Sequence, residues 1–310
     1  MSPPRHFSDT NSRHTPKLAR KNLAGSRRSP QRCGFCRLAI FLLLPLAAAL
    51  AAPPADAQKE PAAETAAQAD SVDANELTIE QIRARRQELA AAVKKRAQQA
   101  EAEWENEAQR AGWKRLSKTD QCWIDPKRKL VIVGGRVCLR EGFLEMFACT
   151  DGTKEHESVI SLKSKAFLIH TGLLAVGAEP KHPVQFRPEY LPAAGTEIEV
   201  FVRWTDEAGK VHQDRGQDWV REVQSKKPLS HAWVFGGSSL WSDPDTGKSY
   251  YRAESGEVIC VSNFPTAMMD LPIESSPTND ELLFEAFTEK LPPRDTPVLL
   301  ILKPKLTVRP

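Results

Sequence analysis

Apolar residues follow three different patterns along the chain, and each predicts a different structure. Between Leu38 and Leu50 they run unbroken as LAIFLLLPLAAAL. From Ile82 they thin to a helical stripe, Ile82, Leu89, Val93, Ala100, Trp104 and Ala111, spaced seven and four apart in turn and interrupted by Arg86 and Ala97. That spacing predicts one long solvent-exposed helix over 76–112 with the character of a thin coiled coil. Thr78 and Gln81 form a capping box at its start, and Gly112 is placed to end it.

From Trp113 the pattern changes to short β-type runs divided by Gly, Pro and Asp. Strands are expected at KLVIVGG, RVCLR, FLEMFAC, ESVISL, TEIEVFVRW, HAWVFGG, EVICVSN, LLFEAFT and PVLLILK. Two short helices interrupt them: the continuously apolar SKAFLIHTGLLAVGA and the amphipathic GQDWVREVQS. The connections have hairpin length, so the class is α+β, with a mainly antiparallel β domain over 113–310.

Charge distribution separates the first segment from the rest. Residues 1–37 carry nine Arg and Lys against Asp9 alone, whereas beyond Ala57 there are 34 basic and 38 acidic residues. A basic stretch, a short apolar run and the small-residue pattern at Ala55 and Ala57 predict a signal peptide over 1–57, cut after Ala57. The apolar run is too short for a bilayer, which needs about 20 residues. The mature chain is therefore expected without a transmembrane anchor, exported to the periplasm or secreted from a bacterium. Arg27 and Arg28 leave the twin-arginine route open beside the general secretory one. Residues 58–75, nearly free of bulky side chains, predict a disordered linker. The acidic mature chain argues against nucleic acid as a partner.

In an oxidising compartment the even set Cys122, Cys138, Cys149 and Cys260 predicts at least one disulfide of unassigned pairing. Their spacing matches neither a zinc site nor an iron–sulfur run. The densest chemistry lies in CTDGTKEHESVI, residues 149–160. A two-residue turn at Asp151-Gly152 predicts a hairpin whose facing residue numbers sum to 303. Phe147 then faces His156, and Glu145, Cys149, Lys154, His156 and Ser158 share one face, with Glu155, Glu157 and Met146 on the other. Cys138 joins the first set. Such a face suits a binding patch, a thiolate–imidazole pair or structural hydrogen bonding. His156 is its one weak metal candidate, and no metal is assigned.

Other motifs have plainer readings. His170 lies within FLIHTGLLAVG as a hydrogen-bonded core histidine. DPDTGKSYYRAE places Asp243, Asp245 and Glu254 like a calcium loop but has Lys248 where that loop needs Gly, which favours a hairpin turn. No G-x-S-x-G or H-E-x-x-H occurs, so the residues name no reaction and no cofactor.

LEMFACTDGTKEHESVISL, FLIHTGLLAVGAEP, DWVREV, AWVFGGS and SNFPTAMMD together resemble the YdjY domain family of exported bacterial proteins, over about 125–304. The resemblance points to Lys154–Ser158 and implies no established activity. Ferredoxin-like relatives would imply an iron–sulfur cluster, but the mature chain has no clustered Cys-x-x-Cys. The expected function is a non-catalytic binding or interaction module for a protein or small molecule, with self-association through 78–111. The alternative is a metal- or thiol-dependent enzyme using His156 with Cys149, Glu145 or Glu157. Removing residues 59–112 is expected to leave a folded domain, because the core strands begin later.

Overall fold

The computed structural model describes residues 78–276, 278 and 282–306, so the expected leader and linker lie outside the described residues. The first helix, α1, spans Ile79–Ala111. Thr78 Oγ accepts from the Gln81 amide while the Gln81 side chain accepts from the Thr78 N–H, and Gly112 closes the helix at φ 74°. Both ends follow the capping rules that the sequence satisfies.

After α1 come β1 (Lys114–Arg115), β2 (Cys122–Asp125), β3 (Leu130–Val137), β4 (Met146–Thr150) and β5 (Ser158–Leu162). The second helix, α2 (Ala166–Ala175), precedes β6 (Pro180–His182), β7 (Ala194–Gly195), β8 (Glu197–Thr205) and β9 (Val211–Arg215). The remaining strands are β10 (Val220–Glu222), β11 (Trp233–Phe235), β12 (Leu240–Ser242), β13 (Ser249–Tyr251), β14 (Ile259–Cys260), β15 (Met269–Asp270), β16 (Phe284–Ala286) and β17 (Pro297–Pro304).

The strands β3, β17, β8, β11, β15, β14, β4 and β5 pair in that order, and β5 pairs back onto β3 to close a barrel. Most pairs are antiparallel; β4–β5 and β14–β15 are parallel. Alternation along the long strands sorts side chains between two sides. Val131, Val133, Ile198, Val200, Val202, Val298, Leu300 and Leu302 enter the main core with Phe147, Trp219, Trp233 and Phe235. Ile132 and Leu299 instead join Trp123 in a separate outer cluster, which Trp104 and Ala108 of α1 cover.

That cover divides α1 into two halves. From Ile79 to Lys95 its residues are exposed, including Ile82, Leu89 and Val93 of the expected stripe. From Arg96 one face docks on the barrel: Ala100 and Trp104 turn inward and Ala108 is buried, while Ala111 stays exposed. Glu107 holds Arg203 of β8 in a bidentate pair at 2.9 and 2.5 Å, and Arg96 Nη2 donates to Thr205 O at 3.2 Å. Gly134 makes the close approach possible, because a Cβ there would lie 2.3 Å from Gln121 Oε1 and 3.0 Å from Trp104 Cζ3.

Three local expectations give way to tertiary pairing. The segment expected as a helix at GQDWVREVQS is a single 3-10 turn, Gly216–Trp219, followed by β10, because Trp219 is fully buried and Val220 pairs with Ala286. KLVIVGG and RVCLR do not form two strands; β3 continues through both glycines to Val137, because β17 pairs with it from Val131 to Arg136. The hairpin at Asp151-Gly152 does not form either. β5 runs parallel to β4, with Met146 opposite Ser158 and Thr150 opposite Leu162.

The docked half of α1 carries a testable consequence for truncation. Removing residues 1–95 should leave the urea unfolding curve of the barrel unchanged. Extending the cut through Gly112 uncovers Trp123, Ile132 and Leu299 and should cost roughly 3 kcal/mol.

Candidate functional site

The segment 151–157 replaces the expected hairpin with a loop that crosses from the end of β4 back to the start of β5. Its own side chains hold that path. Glu155 Oε1 accepts from Gly152 N at 2.5 Å, and Thr153 Oγ1 donates to Thr150 O at 2.6 Å. Asp151 accepts from Ser161 Oγ at 2.8 Å and from Arg136 at 3.4 Å, and it also pairs with Lys163. Burial works against the Asp151 carboxylate, but Lys163, Ser161 and Arg136 outweigh it and lower its pKa.

The candidate residues separate into four environments. Lys154 Nζ reaches Glu157 at 3.0 Å, Glu257 at 3.5 Å and Glu145 at 3.8 Å, and lies 5.1 Å from the centre of the Phe264 ring. Burial opposes the ammonium, yet the three carboxylates raise its pKa; Glu145 is itself raised by burial and by Glu157 beside it. Glu155 belongs to the Asp151–Arg136–Ser161 anchor. Cys149 and Ser158 are fully buried beneath the loop together with Cys138. His156 stands apart, its side chain 75% exposed, with Glu157 at 3.7 Å.

The reversal at His156 has a geometric cause. Facing partners summing to 303 require an antiparallel pair, whereas the parallel crossing leaves Lys154–Glu157 in the connection, outside either strand. His156 therefore does not share a buried face with Phe147. Two members of the ion cluster escaped the sequence reading: Glu257 lies about a hundred residues away in sequence, and Phe264 follows a strand it does not join. No local spacing signals either one. Among the described residues no group of three or more His, Cys, Asp or Glu is placed to hold a metal ion.

A second polar cluster lies deeper, around Asp270. Its carboxylate accepts from Leu271 N at 2.8 Å, Asn263 Nδ2 at 3.1 Å and Phe264 N at 3.2 Å. Tyr190 Oη donates to Asn263 Oδ1 at 3.2 Å. Burial raises the Asp270 pKa to about 7 despite these donors, and it pushes Tyr190 up to about 12. His170, expected as a core histidine, meets Tyr251 Oη through Nδ1 at 2.9 Å and sits edge-on to Phe235, and burial lowers its pKa. DPDTGKSYYRAE forms the β12–β13 hairpin, where Asp243 Oδ1 accepts from Asp245 N at 2.9 Å. Glu254 takes a different role: its carboxylate accepts from Ala166 N and Phe167 N at the start of α2.

A groove lies elsewhere, between the docked half of α1 and the β8–β9 hairpin. It measures about 600 Å³ and is lined by Glu103, Trp104, Glu107 and Arg110 of α1 and by Arg203, Trp204 and Val211 of the hairpin. Two smaller openings, about 130 and 370 Å³, share Arg96, Trp204 and Asp206 and extend the groove to Pro293. His212 stacks on Trp204 at 5.0 Å and pairs with Asp206 at 2.7 Å, which fixes the groove wall.

The family model for the YdjY domain matches residues 122–303, more than half of the chain and nearly the whole barrel. No curated protein and no solved structure matches the chain. Among the described residues no helix is long and apolar enough to cross a membrane.

Two measurements check these environments. Glu157→Ala should cost about 1 kcal/mol by weakening a half-buried ion cluster, and His156→Ala should stay within about 0.5 kcal/mol by denaturant unfolding. Asp270 predicts a pH effect of definite sign. A carboxyl titrating near 3.9 when unfolded and about 7 when folded binds its proton more tightly in the native state. Its contribution is complete below the unfolded pKa and is lost as pH rises through 7. Thermal melts across pH 4–8 should show that decline, and Asp270→Asn should remove it.

Proposed function

The chain belongs to the YdjY domain family, and we propose that it acts as an exported, non-catalytic binding module whose ligand lies in the groove between α1 and β8–β9. The observation that carries this reading is the groove itself, about 600 Å³ bounded by two tryptophans and by charged side chains of both signs. Pockets of this size with a few placed polar groups are the usual seats of ligands. The buried thiols and Asp270, whose environments favour chemistry most, lie outside its lining.

The neighbouring strand suggests the form of the ligand. β9 pairs with β8 and with no other described strand. Counting from the Asp206 N to Lys210 O bond at 2.9 Å, ladder bonds alternate, so Val211, Gln213 and Arg215 aim their N–H and C=O groups away from β8. An open edge beside a groove of mixed charge suits an extended peptide, which pairs its backbone with the edge and places alternate side chains in the groove. The basic leader, the apolar run and the small-residue cut site support export. The exposed Ile79, Ile82, Leu89 and Val93 on the undocked half of α1 support self-association as a second use of that helix.

The metal-dependent alternative has less support, because the His156 side chain stands mostly in solvent and among the described residues no group of three or more His, Cys, Asp or Glu is placed to hold a metal ion. Titrating the protein with extended hexapeptides of mixed charge, alongside neutral oligosaccharides, should give a saturable change in tryptophan fluorescence with the peptides. Gln213→Pro removes an outward N–H without breaking a ladder bond, and it should abolish that change while leaving the melt in place. Saturation by oligosaccharides alone, or peptide binding that survives Gln213→Pro, would overturn the reading.

A further inference from the structure

The second helix is apolar on every side, and a helix of that composition is ordinarily covered all round. Between Lys165 and Glu179 the chain carries no Asp, Glu, Lys or Arg. The barrel covers one side of α2, where Ala166, Ile169, Gly172 and Leu173 are buried. The other side is bare: Phe167 is 52% exposed and Leu174 46%, and Thr171 and Ala175 are exposed beside them. These four residues fall at i, i+4, i+7 and i+8, so they form one stripe of the helix. The Thr171 hydroxyl already donates to Phe167 O at 2.8 Å and brings no unpaired polar group to it.

The stripe continues past both ends of the helix. Phe167 meets the Tyr251 ring edge-on with centroids 5.8 Å apart, and Tyr251 pairs across the β12–β13 hairpin with Leu240, which is 65% exposed. At the other end the exposed Leu306 borders Gly177, where a Cβ would lie 3.5 Å from Leu306 Cδ1. A contiguous apolar patch of this kind marks an interaction surface. Its lack of charge suits neither an anionic lipid surface nor a charged peptide. Its two ends, however, complement each other: Lys165 stands at the start of the stripe and Glu179 beyond its end, as Leu240 and Leu306 do. A surface whose ends match in this way fits a second copy of itself turned round. Antiparallel helices also oppose their dipoles.

We propose that the outer face of α2 is the contact of a homodimer, in which a second copy packs antiparallel across a two-fold axis near Thr171. The axis sets Phe167 against Ala175 of the second copy, a large side chain against a small one. It brings Lys165 within reach of Glu179 of the second copy, and Leu240 toward its Leu306, at both ends at once. The contact is apolar and neutral at its centre and carries its ion pairs at the rim, as dimer interfaces do. None of these residues lines the groove between α1 and β8–β9, so the dimer does not rest on the ligand reading. It is equally separate from the exposed apolar residues of α1.

The test measures the mass of the full-length chain by sedimentation over a concentration series, where a reversible dimer is expected. Leu174→Glu places a carboxylate of each copy in the contact and should raise the dissociation constant at least about 100-fold. Leu174 is half exposed in the single chain, so the melt should stay in place. Lys165→Glu and Glu179→Lys should each raise the constant roughly fivefold, and the two together should bring it back toward the starting value. Thr171→Cys should link to itself under mild oxidation, whereas Glu207→Cys at the β8–β9 turn should not. Leu89→Glu, in the exposed stripe of α1, should leave this dimer intact. A monomer at every concentration, a dimer that survives Leu174→Glu or is lost with Leu89→Glu, or Glu207→Cys linking as readily as Thr171→Cys would overturn the proposal. So would a double charge reversal that restores nothing, or a monomer that binds neutral phosphatidylcholine vesicles through Phe167 and Leu174.

Discussion

Closure of the barrel at β3 is the constraint on which the other features depend. One edge of β3 pairs with β17 from Val131 to Arg136, while its other edge serves two partners, β2 at its start and β5 at its end. The handover falls at Gln121, whose N–H donates to Lys163 O while its C=O accepts from Gly134 N. No backbone group is left over where one neighbour replaces the other. A closed ring leaves no edge among its own strands, and β9, which pairs only with β8 among the described strands, carries an open edge outside the ring.

Once β5 is the strand that closes the ring, its direction is no longer free. It lies antiparallel to β3 and parallel to β4, so the chain leaving β4 must return along the barrel before β5 begins. Residues 151–157 make that return, and their carboxylates find cations on β3 and beyond β5 in place of solvent. Cys138 and Cys149 are buried beneath the return because the strands on either side of β5 carry them there. The Lys154 cluster forms for the same reason: the loop carries the lysine over Glu145, close to Glu257.

The outer surface of the barrel follows a different logic. Ile132 and Leu299 point away from the main core, and an apolar outer face needs a cover. The last turns of α1 supply it with Trp104 and Ala108, and Gly134 leaves room for the indole. Because the helix covers only part of that face, a groove is left between it and the β8–β9 hairpin. Docking and groove therefore share side chains: Trp104, Glu107 and Arg203 belong to both.

Local rules were enough for whatever local interactions decide. The capping box at Thr78, the stop at Gly112, the α+β class and the apolar character of α2 were all legible in the order of residues; His170 keeps the expected hydrogen bond but is only half-buried. The resemblance to the YdjY family was legible in long ordered segments. The direction of β5 was not, since Asp151-Gly152 satisfies a hairpin as well as it satisfies the crossing loop. Only the ring's need for β5 beside β3 separates the two. Long-range pairing likewise turned GQDW into a single 3-10 turn and joined KLVIVGG to RVCLR. The sequence alone placed the polar chemistry in residues 145–158; the parallel crossing decided that His156 faces water and that Lys154 meets its carboxylates.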